Sequence, residues 1–560
     1  MLSSDGHSDR RKDEAASLLF LPLLLFCLPF EPRRPTLGTL GLEFTLLEIL
    51  AGATMAVSLW CGRRRVGEAL QRLPVLLLFA YAAAHLLSAA LAPTHAGAAA
   101  KFAMRMAAAA LFGLAVAVWP REAQRRALPA LAAGAGLVAL LCILEGAGVR
   151  SLDPFLNLFR PYALRIGEVR RSFGASENPN LAAALLVYGL VAVTALAGLG
   201  RRTLPIACAG TALLSTGLLF TQSRGGLGAA LVALAAVSLS LRGRSRGAAG
   251  ALAALGVLLG VTAVFAALSP SFGLRVSTEA TASRYGVRYE PEQEVLALAP
   301  GEERTIRVRV TNTGRQTWRP GQVFLAPFWY EVQPRLAVTW ESRARPIPMP
   351  RDVTSGESLW LEGRVVAPRG EGRYLLVWEL SDGTSPFSLH GVDPGIVAVW
   401  VNGDRRRGEA FTFAGRPGVW GRGRLELWQL ALAMWRDRPL TGVGSDNFRL
   451  LNARYGGWVD GRVRDASIRA HNAFLEAAAT TGALGLLALL ATLLAAARAA
   501  RHRLRAPAEA LDVALGAATV GWLAGIVVQS MVDVLLPFTA HYLFLGFVVG
   551  VASSRGREAT

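Results

Sequence analysis

The residues that could do chemistry sit at the margins of long apolar blocks. His471 opens one such block, in Ala470-His-Asn-Ala-Phe-Leu-Glu476, and Thr481-Gly-Ala-Leu-Gly485 follows inside it. An imidazole titrates near physiological pH, so its neutral form can take a proton from a hydroxyl. Arg224 lies in Thr221-Gln-Ser-Arg-Gly-Gly226, where two glycines let a backbone or a substrate come close. Arg150, Arg160, Arg165, Arg170 and Arg171 crowd a short segment, and Arg424 with Arg422 beside it opens a Trp-rich one. Guanidinium groups stay charged and grip phosphate oxygens in pairs. Lys101 and Arg105 stand four apart on one face of an apolar stretch, where an unpaired charge is costly. They should face a bundle interior, with Glu43, Glu48 or Glu145 able to neutralise them. His541 and Asp533 are lesser candidates, and His85 and His95 read as structural.

What positions these groups is a membrane composition. The 560 residues are 52% hydrophobic and 18% charged, and the apolar residues come in long blocks. About twelve spans are expected, at 16–31, 40–61, 73–92, 97–119, 127–148, 180–199, 203–220, 225–241, 248–268, 472–497, 509–531 and 534–553. The charged start before Leu18 could belong to a signal peptide, but no small-residue cleavage site follows, so it reads as a retained span. The net charge of +19 does not indicate a nucleic-acid partner, because the arginines cluster between blocks: Arg10–Lys12, Arg63–Arg65, Arg121 to Arg126, Arg201–Arg202, Arg242 to Arg246, Arg498 to Arg505, and Arg555 with Arg557. With these clusters cytoplasmic, the positive-inside rule sets both termini inside and places 150–179, 221–224 and 269–471 outside. The arginine excess in 150–179 breaks that rule and argues for anionic ligands. The four cysteines lie in or beside apolar blocks, so no disulfide framework is indicated.

The chain therefore divides into N-terminal spans (1–268), a large outer loop (269–471) and C-terminal spans (472–560). Within the loop, apolar residues alternate, as in Ile306, Val308 and Val310, and turn signals separate seven to eight short strands between about 290 and 402. This predicts a small β-sandwich. Thr311–Trp318 and Ala367–Tyr374 resemble segments of immunoglobulin-like modules. At 422–438, Leu427, Trp428, Ala431, Leu432, Met434 and Trp435 take helical spacing, predicting an amphipathic helix on the outer membrane surface or, as the alternative, one packed on the sandwich.

His471–Asn472, nine residues, Gly482, two residues and Gly485 resemble the signature of O-antigen ligases. Eleven residues make about three helical turns, so His471 and Gly482 should share a face, with the glycine letting a neighbouring helix pack closely. The similarity extends to Arg424, Trp428, Pro439–Gly444 and Asn447–Phe448, to Thr221–Gly226, and to Arg171-Ser-Phe-Gly-Ala-Ser-Glu-Asn-Pro-Asn180. It covers roughly 100–270 and 420–550 and excludes the sandwich.

The resemblance implies a mainly α, polytopic membrane bundle of glycosyltransferase type C character in a bacterial cytoplasmic membrane, carrying an extracytoplasmic all-β immunoglobulin-like insertion. It implies transfer of a glycan from an undecaprenyl-diphosphate donor to an acceptor hydroxyl at the outer face, among membrane lipids and without metal or other cofactor. His471, Arg224 and Arg424 would be catalytic; Arg165, Arg170, Arg171, Lys101, Arg105 and Asn472 would bind substrate. Other readings stay open at each position: an interfacial cap for His471, headgroup contact for the arginines. The acceptor could be a glycan, another lipid-linked repeat or a protein, corresponding to ligase, polymerase and protein O-oligosaccharyltransferase. A transporter or membrane scaffold is the more distant alternative.

Overall fold

The computed structural model describes residues 19–39, 42–160, 164–166, 169–197, 204–269, 272, 284–332, 336–339, 346–382, 387, 392, 394–402, 423–451, 455 and 469–554. Residues 19–27 are helical. A hairpin of β1 (Leu37–Thr39) and β2 (Leu42–Phe44) leads into α1 (Leu46–Cys61), α2 (Arg63–Leu70), α3 (Leu73–Ala90), α4 (Ala96–Ala117) and α5 (Arg121–Gly146). A second hairpin, β3 (Leu164–Ile166) with β4 (Val169–Arg171), precedes α6 (Pro179–Ala197), α7 (Leu204–Phe220), α8 (Arg224–Ser240) and α9 (Ser245–Leu268). Beyond the large loop come α10 (Gly423–Asp437), α11 (Ala473–Arg505), α12 (Ala510–Ser530) and α13 (Thr539–Ser553).

Among the described residues, seven helices are long and apolar enough to cross a membrane, and an eighth if α1 and α2, bent by 98°, form one broken span. Three more apolar helices, α7, α8 and α13, are shorter. The helices fall where the hydropathy blocks predict them, but about twelve full-length spans is more than length and composition support. The α1–α2 break and both hairpins were not expected.

The helical part has two chemically different ends. At one, arginines pair with the few carboxylates: Arg121 with Glu509 at 3.1 Å, and both Arg121 and Arg503 with Asp512, at 2.9 and 3.0 Å. Arg72 and Arg244 donate to the Ser553 and Leu504 carbonyls there. At the other end, here called the mouth, four connections meet: the α3–α4 turn, the segment before α6, the α7–α8 turn and the α12–α13 turn. Ser172 N donates to Phe220 O at 3.0 Å, Asn447 Nδ2 to Thr94 O at 2.9 Å, and Arg105 to Pro537 O at 3.1 Å.

The predicted strands form two packed sheets between Val287 and Val401. One has six strands, β10 (Ile347–Pro348), β8 (Phe324–Val332), β12 (Gly372–Ser381), β13 (Gly395–Val401) and β6 (Val295–Leu298), with β9 (Leu336–Thr339) on β8; the other is β11 (Ser358–Val366), β7 (Glu303–Asn312) and β5 (Val287–Pro291). Alternation explains both faces. Val308, Val310, Leu361 and Val365 point inward to meet Trp329, Leu376, Trp378 and Val399, while outward Arg307 and Glu362 pair across strands at 3.4 Å. Trp318 plugs one end, held by its bridge to Val353. Among the described residues, the core draws only on 285–401.

Candidate functional site

The site is built on a splice between a loop and a broken helix. Gly482 has φ 65° and ψ −163°, which interrupts α11. The Pro439–Gly444 loop fills the gap. Ala483 N donates to Pro439 O at 2.7 Å and Leu484 N to Leu440 O at 3.2 Å, while Val443 N and Gly444 N donate to Ala479 O and Thr480 O at 2.9 and 3.2 Å. The backbone groups freed by the break are thus satisfied, which a membrane-embedded break requires. Both glycines are needed: a Cβ on Gly442 would lie 2.2 Å from the Thr480 carbonyl carbon, and one on Gly482 2.2 Å from that of Leu440. The expectation that His471 and Gly482 share one continuous helical face is corrected here, because α11 begins at Ala473 and breaks at Gly482. The glycine admits a loop, and no neighbouring helix occupies that gap.

This splice also draws in α10. Leu427, Leu430, Ala431 and Met434 are buried with Val443, Phe448 and Ala479. Part of the apolar face of α10 is therefore packed on the loop and α11, while Leu425 stays exposed and Leu432 and Trp435 are half-buried. Arg424, at its first turn, keeps part of its side chain open to solvent.

His471 precedes the α11 cap in a left-handed conformation, φ 47°. Its Nδ1 lies 3.1 Å from Asp533 Oδ1 on the α12–α13 turn. The other Asp533 oxygen accepts from Asn180 Nδ2 at 2.8 Å, and Val534 N donates to Oδ1 at 2.9 Å. Asn180 Oδ1 in turn accepts from Ser223 Oγ at 3.0 Å and Arg171 Nη2 at 2.9 Å. One chain of hydrogen bonds thus joins α11, the α12–α13 turn, α6 and the start of α8. Local rules explain its anchor points: Asn178 caps α6 through the amides of Asn180 and Leu181, and Ser223 caps α8 through Gly226 N at 3.1 Å.

Electrostatics set the state of the pair. Burial would raise the Asp533 carboxyl, but hydrogen bonds from His471, Val534 and Asn180 override it and hold it down at about 2. Burial would lower the His471 imidazole and Arg424 lowers it too, yet the Asp533 hydrogen bond and charge, with Glu476, carry it above its ordinary value. Arg424 itself is lowered by burial and by Arg224, against Asp533. Arg224, Arg424, Asp533 and His471 are therefore electrostatic neighbours.

The other sequence candidates scatter. Arg171 is buried and donates to Thr221 O at 3.0 Å as well as to Asn180, so it braces the α7–α8 turn. Arg165 and Arg170 pair across the β3–β4 hairpin, and their side chains lie outside the described residues, as does Arg422. Asn472 caps α11 through the amides of Phe474 and Leu475, and its Nδ2 donates to Met531 O at 3.2 Å. Arg160 is buried against Glu145 and Asp153, and Glu145 also accepts from Phe173 and Gly174 amides at 2.8 and 3.1 Å. Neither Arg160 as an anion contact nor Glu145 as the partner of Lys101 and Arg105 fits this placement. Lys101 and Arg105 line a separate cavity with Asp446 and Arg449. Arg469 and Glu476 went unread in the sequence, and Asn180 entered only as the end of the Arg171–Asn180 resemblance, without a role. Glu476 had a signal, since a carboxylate in an apolar block demands a partner. It is Arg469, at 2.8 Å.

Long apolar helices with this centre define a multi-pass membrane protein. Residues 395–490, which carry Arg424 and His471 but neither Arg224 nor Asp533, match the family model described as O-Antigen ligase. The match supports the O-antigen ligase superfamily and, with it, a membrane glycosyltransferase of the ligase and polymerase kind. No curated protein matches the chain.

Proposed function

We propose that the protein transfers a glycan from undecaprenyl-diphosphate to an acceptor hydroxyl at the mouth. The observation that carries this is the His471–Asp533 hydrogen bond with Arg424 and Arg224 beside it. Asp533 accepts the Nδ1 proton, which leaves Nε2 of neutral His471 as the base. It takes the acceptor proton while the hydroxyl oxygen attacks the anomeric carbon. The bond from that carbon to the diphosphate oxygen breaks, and its electron pair leaves with the diphosphate. Arg224 and Arg424 meet the charge that develops there. The arginine-rich end, by the positive-inside rule, is cytoplasmic with both termini, and the mouth and the 269–471 loop are extracytoplasmic. The sandwich supports an immunoglobulin-like reading through its two antiparallel-dominated sheets and the Tyr374 hydroxyl, which donates to Gly370 O at 2.8 Å as a tyrosine corner does.

The test is reconstitution of the purified chain with lipid-linked glycan and candidate acceptors. Transfer is expected, and His471→Ala should abolish it without loss of fold; retained transfer would remove the proposed base. Loss of transfer with intact transport of any solute would favour the transporter reading.

A further inference from the structure

We propose that the cavity between the start of α4 and the Asp446–Arg449 turn binds a phosphate group carried by a lipid-anchored acceptor, as an anion subsite apart from Arg224 and Arg424. This rests on the transferase reading and specifies its second substrate. The cavity measures about 430 Å³ and is lined by Lys101, Phe102, Arg105, Asp446 and Arg449. That volume falls within the roughly 300–1,000 Å³ of ligand pockets.

Its charge is the first argument. Lys101 and Arg105 face a carboxylate already engaged by other cations: Arg449 Nε donates to Asp446 Oδ2 at 2.8 Å and Arg469 Nη1 to Oδ1 at 2.6 Å. Arg105 donates to the neutral Pro537 carbonyl, and part of its field reaches Glu177. Among the described residues Lys101 forms no ion pair. An excess of positive charge therefore faces the cavity, and a phosphate would neutralise it.

Position is the second. Lys101 and Arg105 lie about 8 and 14 Å along α4 from its first residue, below the headgroups and toward the middle of a 22-residue helix that just spans a bilayer. A phosphate held at that depth fits a lipid-anchored molecule better than a freely dissolved one. The cavity also opens at the mouth: Asn447 and Arg438 hold the α3–α4 turn through Thr94 O and Leu91 O at 2.9 and 3.3 Å. Arg469 links Asp446 to Glu476, and His471 lies two residues beyond Arg469. The cavity is thus tied to the segment that carries the base, as Arg424 is through its charge.

Strain is the third. Among the described residues, four non-glycine positions have positive φ: His95, Gln222, Asp446 and His471. His95 caps α4 and Asp446 lines the cavity, while Gln222 and His471 belong to the other site. Such conformations persist where surrounding structure enforces them, often at ligand sites.

The test uses the full chain in phosphatidylcholine nanodiscs with a lipid-diphosphate glycan donor. Three acceptors are compared: a polyprenyl-diphosphate glycan, a monophosphorylated glycolipid, and the same glycolipid after phosphatase treatment. For the wild type, dephosphorylation should raise acceptor KM on the order of tenfold, the scale of one charge-assisted contact. In Lys101→Gln/Arg449→Gln the two glycolipids should become equivalent, whereas Lys101→Arg should keep the discrimination. Whichever phosphorylated acceptor shows the larger effect identifies the source of the phosphate. No discrimination by the wild type, an equal rise in donor KM, or loss of the effect on adding phosphatidylglycerol would overturn the proposal. Binding of the labelled monophosphorylated glycolipid to His471→Ala protein separates the two ideas: it should persist and depend on Lys101 and Arg449. If the wild type transfers nothing yet binds this probe through those residues, the transferase reading fails and the subsite stands.

Discussion

His471 and Asp533, 62 residues apart in sequence, meet across the mouth with Nδ1 and Oδ1 3.1 Å apart. The aspartate fixes the tautomer and lifts the imidazole above its ordinary 6.5. A base must be neutral, so transfer should rise with pH through that elevated value. In Asp533→Asn the raising charge is gone, and the acid limb should move to lower pH. The maximal rate should fall about 100-fold or more, as the imidazole loses its orienting partner. A kcat/KM profile against pH measures both. An unmoved acid limb would show that His471 is not the titrating base.

In the proposed reaction Arg424 and Arg224 meet charge that develops on the leaving diphosphate. Arg424→Ala and Arg224→Ala should each lower kcat about 100- to 1,000-fold with a smaller change in donor KM. Lysine at either position should restore little, because a point charge does not reproduce a bidentate fork. Single-turnover transfer with saturating donor tests this. A loss confined to donor KM would reassign the arginine to ground-state binding.

The helices were legible because hydropathy blocks are long, and the sandwich because period-two alternation is clear in Glu303–Asn312 and Gly372–Ser381. His471, Arg224 and Arg424 stood out as candidates through short motifs at block edges, and the structure brings them to the mouth. What could not be read was partnership. Glu145 and Asp533 are both carboxylates near span ends, and nothing in their neighbours in sequence says that one pairs with Arg160 and the other with His471. The break in α11 was hidden for a related reason. A glycine in an apolar run is compatible with tight helix packing or with a loop splice, and only the position of Gly442 decides.

Gly442 and Gly482 therefore offer a second test. Both have positive φ, 68° and 65°, and both face backbone atoms. Alanine at either should cost at least about 1–3 kcal/mol from conformation alone, with more from displacing the opposing chain. Gly482→Ala should lower the thermal midpoint in detergent and reduce transfer together, since the same splice carries α10 and Arg424. Gly228, with open space around its Cβ position, is the control and should tolerate alanine. Equal behaviour of the three variants would refute the splice as a structural requirement.

The buried Arg160–Glu145 pair makes a different claim, that these charges hold shape. Arg160→Ala should destabilise the protein by about 3–5 kcal/mol by stranding Glu145. Arg160→Met with Glu145→Gln should recover much of this, because the glutamine oxygen can still accept from Phe173 and Gly174. Thermal unfolding of the three proteins checks the order. If the double variant is stable yet inactive with normal donor KM, the pair has a role beyond structure.

The sandwich poses the remaining question, since among the described residues its core uses only 285–401, while the proposed catalytic groups flank it in sequence. A domain that buries Trp318, Trp329 and Trp378 in a core of its own should be removable without exposing the membrane bundle. Replacing 285–402 by a flexible Gly/Ser linker of about ten residues should leave the bundle's unfolding midpoint and the His471 pH profile in place. We expect acceptor KM for the natural acceptor to rise about tenfold or more, with donor KM little changed, if the sandwich recognises the acceptor or a partner that delivers it. Normal activity with an unaltered acceptor range would remove that role, and a lowered midpoint would instead make the sandwich a brace for Arg424 and the α10 splice.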